Sequence, residues 1–303
     1  MRAVICTAYG APEVLAIREV PMPEPRAGEV RIRTVATTAH VGDARIRRAD
    51  PFAARLAFGL FRPRHDLILG LELAGVVDAV GTGVSAFAPG DEVMAFCGFG
   101  LGGNAGYRCL PADSRDPQKH GAIVRKPSSM SFEEAAALPT GAMTALKNLQ
   151  KAGLGAGHRI LINGASGSLG TSAIQLAKHL SAEVTAVCSA RNRDLVESLG
   201  ADAVVDYGTE DFTRLGPRFD VVYDAVMASS AGACRGLLRP GGVHVRNAGL
   251  ARITSDDLQH VADLADRGVL RPVVDRVLPL DEVVEAHRYV DTGRKRGHVV
   301  LTV

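Results

Sequence analysis

The run Ile160 to Lys178, ILINGASGSLGTSAIQLAK, constrains this chain more than any other stretch. Arg159-Ile-Leu-Ile reads as a buried parallel strand, being short, apolar and β-branched. Asn163 to Gly170 follows as a turn of small residues. From Ser168 the apolar Leu169, Ile174, Leu176 and Ala177 recur at near-helical spacing. Strand, glycine turn and helix start in that order form a phosphate cradle. Missing Cβ atoms let the backbone approach a pyrophosphate, and N–H groups at the helix start face its charge. Against the G-x-G-x-x-G template the sequence offers Ala165, Gly167 and Gly170, with an additional Gly164. The pattern alone also fits a purely structural turn. The flanking strand and helix, and a further strand at Glu183–Cys188, favour dinucleotide binding. Ile160 to Ala177 carries no charge, but five Asn, Ser and Thr residues and three glycines argue against a membrane span.

The second strand bears on the choice of dinucleotide. A site for NAD usually ends that strand in an acid, roughly twenty residues after the glycines, which grips the ribose 2′-hydroxyl. Here the strand runs into Cys188-Ser189-Ala190-Arg191-Asn192-Arg193, and Asp194 comes only later. A serine and two arginines suit a 2′-phosphate by hydrogen bonding and charge. Ser189 or Asn192 could also simply cap a helix, and both readings can hold together. NADP(H) is the expected cofactor.

With 303 residues, 47% of them hydrophobic and 22% charged, the chain can fill one large or two modest domains of an ordinary globular protein. The formal charge of +2 points to no class of partner. Cys6, Cys97, Cys109, Cys188 and Cys234 are scattered and include no C-x-x-C. That suits reduced thiols better than a disulfide framework or a zinc cluster. The opening Arg2-Ala-Val-Ile-Cys6 reads as a strand rather than a signal peptide, so the expected compartment is the cytoplasm.

Two textures divide the chain. Up to about residue 120, short β-like runs (Ala3–Cys6, Leu15–Val20, Glu29–Val35, Ala74–Val80, Glu92–Phe96, Gly106–Cys109) alternate with Pro/Gly turns, predicting a barrel-like β module. Arg45 to Arg64 interrupts it with six arginines, a lone Asp50 and five Phe and Leu residues. Such a mixture could meet nucleic acid, a membrane surface or an anionic substrate. The near-balanced overall charge favours instead a surface helix or loop whose aromatics cover an active-site mouth. After Gly121, Ser131-Phe-Glu-Glu134 is a capping box opening an alanine-rich helix, and a second helix runs to Lys151. Strands and helices then alternate through Glu183–Cys188, 192–199, 203–205, 220–224, 229–237 and 242–245, predicting a doubly wound parallel sheet. Helices at 255–267 and 280–291 and a strand at 298–303 complete the tail.

Taken together these stretches resemble the medium-chain dehydrogenase/reductase superfamily, in its zinc-free, quinone-oxidoreductase-like branch. The resemblance rests on Gly70-Leu-Glu-Leu-Ala-Gly75, Gly81-Thr-Gly-Val84, Pro89-Gly-Asp-Glu-Val93, Ala135-Ala-Ala-Leu-Pro139, Thr144-Ala145 and Gly164-Ala-Ser-Gly-Ser-Leu-Gly170. It continues through Gly200-Ala-Asp202, Asp206-Tyr207, Phe219-Asp-Val-Val-Tyr-Asp224, Arg239-Pro-Gly-Gly242 and Ala286-His-Arg-Tyr289, in order over nearly the whole chain. It implies an α/β fold with a Rossmann parallel sheet and a GroES-like β-barrel domain. The expected boundaries are 1–122 for the GroES-like catalytic domain, completed by 268–303, and 123–267 for the cofactor domain. By the same resemblance Gly164, Ala165, Ser166, Gly167, Ser168, Leu169 and Gly170 hold the pyrophosphate. Ser189, Arg191 and Tyr207 lie near the adenosine end, and Thr144, Asn247 and Ala248 near the nicotinamide.

Zinc-dependent relatives need a cysteine, the histidine of a Gly-His-Glu, and a second cysteine or acid converging on the metal. Here that tripeptide reads Gly70-Leu71-Glu72, and leucine cannot ligate. His40 falls near the first cysteine's place but lacks partners, and no four-cysteine lobe exists, so no metal is expected. Without a Lewis acid for alcohol oxidation, the expected reaction is hydride delivery to an already electrophilic small molecule: a quinone, an enone or another activated carbonyl compound. Some relatives place a tyrosine near the acceptor where this chain has Arg45. Arg45, with His40, is expected to stabilise the developing oxyanion while Asp43 is structural; an ion pair of Arg45 with a nearby acid is the competing reading. A non-catalytic NADPH-binding scaffold with nucleic-acid affinity, and a residual alcohol dehydrogenase, remain as alternatives.

One departure concerns the sheet. Only Asn247–Thr254 separates the strand at 242–245 from the helix at 255–267, too few residues for the crossover to another parallel strand. The sheet is expected to stop after its fifth strand, or to keep an edge remnant at 250–254. The oligomeric state is therefore left open.

Overall fold

The computed structural model describes the chain except for His65, Asp66, Pro217, Ala228 and residues 248–251. Two compact units emerge. The first comprises Met1–Thr140, Thr254–Asp266 and Val274–Val303, and the second Gly141–Ile253 and Arg267–Val273.

Along the chain come strands β1 (Arg2–Cys6), β2 (Leu15–Glu19) and β3 (Glu29–Thr38), then helices α1 (Val41–Arg48) and α2 (Ala54–Phe58). They are followed by β4 (Glu72–Val80), β5 (Glu92–Phe96), β6 (Tyr107–Pro111), α3 (Pro117–His120), β7 (Ala122–Arg125), α4 (Phe132–Ala136) and α5 (Pro139–Lys151). The alternating part contains β8 (Arg159–Asn163), α6 (Ser168–His179), β9 (Glu183–Cys188), α7 (Arg193–Ser198), β10 (Ala203–Asp206), β11 (Phe219–Asp224), α8 (Ala231–Arg235) and β12 (Leu238–Arg246). Helix α9 (Ser255–Asp266), β13 (Val274–Pro279), α10 (Val283–Asp291) and β14 (His298–Thr302) complete the chain.

The first unit is organised by β3. One side of it pairs antiparallel with β4, while β6 and β14 share the other side, against Glu29–Arg33 and Ala36–Thr38 respectively. Sheet order is β13-β14-β3-β4-β5-β7. Period-two alternation sends Val30 and Ile32 into a core with Leu73, Val77, Val93, Ala95 and Leu110. Arg31 points outward, to Asp78. The C-terminal strand β14 thus belongs to the unit that the N-terminal residues begin.

In the second unit all five strands are parallel, in the order β10-β9-β8-β11-β12. Strands covered on both faces must be apolar on both: after its first residue β8 is buried throughout, and so is β9. Leu161, Val187, Phe219, Val222, Cys234 and Leu237 form one core cluster. Between Arg246 and Ser255 no described residue is in a strand, so among the described residues the sheet stops at five, as the short connection requires. Of the proposed remnant, Leu250 and Ala251 lie outside the described residues. Edge strand β12 carries Arg239, Pro240 and Arg246, which discourage pairing with another chain.

Several elements differ from expectation. The segment around Arg45 to Arg64 contains two helices, not one or a loop, and several of its apolar side chains are exposed: Phe52, Leu56 and Phe61 are 70%, 79% and 88% accessible. Three of its arginines are occupied. Arg47 is fully buried and pairs with Asp291 and the Gly10 carbonyl, Arg48 also meets Asp291, and Arg55 lies over the rings of Tyr9 and Phe52. Strands β7 and β13 are additional, and β12 begins four residues before the expected 242.

Helix α4 shows the reciprocal cap its sequence encodes: the Ser131 hydroxyl accepts from Glu134 N–H at 3.2 Å, and Glu134 Oε2 accepts from Ser131 N–H at 3.0 Å. Replacing Ser131 by Ala is expected to lower unfolding free energy by about 1 kcal/mol. Urea denaturation followed by circular dichroism measures it; an unchanged midpoint would show that this cap contributes nothing to stability.

Candidate active site

In the second unit the sheet order reverses beside β8, and the crevice of such a sheet opens at the carboxyl ends of the strands flanking that point, here β8 and β11. Asn163 ends β8 and Asp224 ends β11; Asn163 Nδ2 donates to Asp224 Oδ1 at 3.0 Å and to Ser229 Oγ at 3.2 Å, tying the two strand ends together. The glycine turn follows immediately. Gly164 takes φ +81°, in the left-handed region, and Gly167 is the N-cap of α6 with no side chain closing the helix start. The first N–H groups of any helix have no acceptor further up it, and together with the dipole they favour an anion.

The glycines have separable roles. A Cβ on residue 170 would lie 2.3 Å from the Gly164 carbonyl oxygen and 2.6 Å from Ala165 backbone atoms, so only glycine lets α6 approach β8 this closely. A Cβ on residue 167 would meet only Gly164 O, at 3.5 Å, leaving space over the turn for a ligand. Ala165 is fully buried and fixes the turn from below, whereas Ser166, Gly167 and Leu169 are partly accessible and Ser168 is buried. The cradle therefore fits a dinucleotide pyrophosphate on shape and on backbone donors.

The residues expected at the adenosine end follow β9 and β10. Asn192 is 4% exposed and donates from Nδ2 to Ser166 Oγ at 2.9 Å and to Ser189 Oγ at 3.2 Å, joining the first turn to the second. Neither Ser189 nor Asn192 makes a side-chain cap, so the capping role considered for them is not the one they play. Tyr207 follows β10 with its N–H on the Cys188 carbonyl at 3.2 Å and its side chain 61% exposed. Arg191 is exposed in the same turn. The acid nearest that turn comes from the neighbouring strand: Asp206 Oδ1 accepts from Ala190 and Gly208 N–H at 3.1 and 2.9 Å. Thr144 is half-buried on α5, one helical turn before Asn148, whose amide donates to the Tyr223 hydroxyl at 3.0 Å. Asn247 N–H reaches the Asp224 carbonyl at 3.4 Å, and Ala248 lies outside the described residues.

The first unit holds a separate set of buried ionisable groups. His40 is the N-cap of α1: its Nδ1 accepts from Gly42 N–H at 2.9 Å, which leaves the ring proton on Nε2. That Nε2 is shut off from solvent and has no hydrogen-bond partner. Burial, with the charges of Lys295 and Arg45, pushes the His40 pKa down to about 3, so the ring is neutral. Asp43 is fully buried, accepts from Gly70 N–H at 3.0 Å and His40 N–H at 3.3 Å, and is raised to about 7 by desolvation. It holds the Gly70-Leu71-Glu72 stretch against α1. Glu72, also fully buried, accepts from Thr38 Oγ1 at 2.7 Å and Thr140 N–H at 2.8 Å, with His298 Nδ1 3.9 Å away. Desolvation raises its pKa; burial lowers Lys295 to about 8 and His298 well below its ordinary value. Arg45 is half-buried, and among the described residues no carboxylate pairs with it. Sequence reasoning singled out neither Lys295 nor His298 as a site residue, placing His298 only at the start of the strand at 298–303.

Two outcomes follow. Gly170→Ala should weaken dinucleotide binding at least about tenfold, because α6 must withdraw from the Gly164 carbonyl; titration calorimetry with NADPH against the wild-type chain measures it. For His40 the folded pKa is depressed. Its contribution to stability is therefore present above pH 6.5 and lost as pH falls towards about 3, where the unfolded chain takes up a proton the folded one refuses. His40→Asn keeps a cap and removes the titration, and should flatten the acid limb of stability by up to about 1.4 kcal/mol per pH unit. Denaturation series between pH 3 and 7 give that slope.

Comparison with known proteins places these features in context. The family model described as alcohol dehydrogenase GroES-like domain matches residues 26–123, and two described as zinc-binding dehydrogenase match 168–265 and 246–301. The chain is 34% identical to the 2-methylene-furan-3-one reductase of Solanum lycopersicum, over 99% of this chain and 79% of that protein. It is 31% identical to the chloroplastic NADPH-dependent alkenal/one oxidoreductase of Arabidopsis thaliana, with the same coverage. Among solved structures, the quinone oxidoreductase from Coxiella burnetii superposes with a TM-score of 0.84 at 27% identity, covering 100% of this chain and 99% of that one.

Proposed function

Because the chain belongs to the medium-chain dehydrogenase/reductase superfamily, in its quinone-oxidoreductase-like branch, we propose that it is an NADPH-dependent reductase of quinones, enones or other activated carbonyl compounds. The observation that carries this reading is the cradle at 164–170, with a glycine at 170 that nothing larger can replace. NADPH, when bound, supplies the hydride. The chain's part is to bind it and to receive the negative charge that develops on the acceptor's oxygen.

For binding, the α6 N-terminus and the glycine turn take the pyrophosphate, while Ser189, Arg191 and Tyr207 take the adenosine end. Arg191 supplies charge for a 2′-phosphate; the Asp206 carboxylate beside it is already engaged by backbone N–H groups, which supports NADP(H) over NAD. Thr144 and Asn247 serve the nicotinamide half. For the acceptor, Arg45 offers a cation without a carboxylate partner among the described residues. His40 offers a neutral Nε2–H with no competing acceptor, which suits donation to an oxyanion rather than proton exchange with bulk water. Leu71 occupies the position of a zinc-ligating histidine, which supports metal-free chemistry.

We assign catalysis to 1–122 with 268–303 and cofactor binding to 123–267. No described helix is long and apolar enough to cross a membrane. The five cysteines are free thiols, four of them buried, which supports a reducing compartment such as the cytoplasm.

NADPH consumption on a panel of quinones, enones and simple alcohols tests the reading: turnover with the first two and none with the third is expected. Arg45→Ala should lower kcat about 10- to 100-fold with KM for NADPH unchanged. Arg191→Ala should raise KM for NADPH about tenfold and leave NADH little altered. NADPH bound without turnover of any acceptor would overturn the assignment.

A further inference from the structure

A second group of reactive side chains lies at the outer end of the five-stranded sheet. Asp224 closes β11, His244 lies on β12, and Cys234 lies on α8. Val222 is the register partner of His244, and alternate residues of a strand share a face, so Val222, Asp224 and His244 face the same side. Cys234 packs on that side, in one apolar cluster with Val222. A carboxylate oxygen of Asp224, Cys234 Sγ and a ring nitrogen of His244 all lie within 4.8 Å of one another.

The surroundings of these atoms resemble a coordination site more than a packing accident. Asp224 and Cys234 are both completely buried. His244 is half-buried, yet its Nε2 is closed off from solvent and has no hydrogen-bond partner, a costly state for a polar atom. Outer partners are already in place: Asn163 Nδ2 and Ser229 N–H donate to the two Asp224 oxygens at 3.0 and 3.3 Å. Such second contacts fix the orientation of metal ligands.

We propose that Asp224, Cys234 and His244 bind one zinc-class divalent cation, which staples β12 and α8 to the end of β11. Thiolate, imidazole and carboxylate together are a borderline donor set that suits Zn²⁺ and not Mg²⁺ or Ca²⁺. Tetrahedral bonds of about 2.0–2.3 Å put ligand atoms about 3.5 Å apart, so closure asks for about 1 Å of side-chain movement and leaves a fourth position for water. On binding, the Cys234 S–H bond breaks, its proton passes to solvent and the sulfur bonds the cation; no electron is transferred. Affinity therefore falls as pH is lowered. The staple joins the outermost strand, which has a single neighbour in the described sheet and few buried residues, to one with neighbours on both sides. This site is separate from the proposed oxyanion groups and stands or falls independently of the reductase reading.

The full chain, freed of metal with a chelator, is titrated with Co²⁺ and then Zn²⁺. One equivalent of Co²⁺ should produce a sulfur-to-cobalt charge-transfer band in the near ultraviolet and the visible bands of a four-coordinate ion. Zn²⁺ should bleach both and raise the unfolding temperature. Cys234→Ser should lose the charge-transfer band. His244→Gln, at a half-buried position on an edge strand, should weaken Zn²⁺ binding at least about tenfold with an unchanged circular dichroism spectrum. Absence of the band at stoichiometric Co²⁺, its persistence in Cys234→Ser, or unchanged Zn²⁺ affinity in His244→Gln would each overturn the proposal.

Discussion

A carbonyl oxygen lying 2.3 Å from where a side chain at residue 170 would begin decides where α6 starts. Because position 170 has no side chain, the first turn of the helix can settle onto the turn leaving β8, and its N–H groups converge over the strand end. The rest of the second unit follows from that placement. Asn192 can then reach back to Ser166, which brings the end of β9 beside the cradle. Asn163 can reach across to Asp224, which locks β11 in line with β8. One steric allowance, at a residue with no chemistry of its own, thus organises three strand ends.

The two units treat charge in opposite ways. In the second, backbone donors and a helix dipole are arranged to meet an anion from outside, at a turn that stays partly accessible. In the first, ionisable groups are taken out of water and held by the chain itself. Asp43 and Glu72 are fully buried, and each has backbone N–H donors that offset part of its desolvation. The outcome is a neutral His40 and an Asp43 whose carboxyl burial pushes well above the usual carboxylate range. Those states come from burial, so they depend on the packing of α1 against the Gly70-Leu71-Glu72 stretch rather than on any single ion pair.

The parallel sheet was legible in the sequence because its strands are apolar on both faces and its connections alternate with helices, two signals that do not depend on distant residues. The cap at Ser131 was legible for the same reason, being local. The short connection after β12 carried its message by length alone. What escaped was set by distant contacts. Strand β13 is half to fully exposed and has no apolar face to betray it; it exists because β14 lies alongside. Helix α1 is capped by a histidine, an unusual residue for that place, and its arginines look solvated until Asp291, some two hundred and forty residues later, pairs with two of them. Asn192 could be read only as a helix cap, since its true partners are a serine twenty-six residues earlier and one three residues earlier. Lys295 and His298 belong to a basic tail in the sequence and to a buried cluster in space.

The bridge from Asn192 to Ser166 and Ser189 acts as a strut between two neighbouring turns. The spacing between the glycine turn after β8 and the turn after β9 is set by one side chain with 4% exposure. A ligand spanning both turns would meet segments already joined to each other, so less of its contact energy would be spent on rigidifying the host.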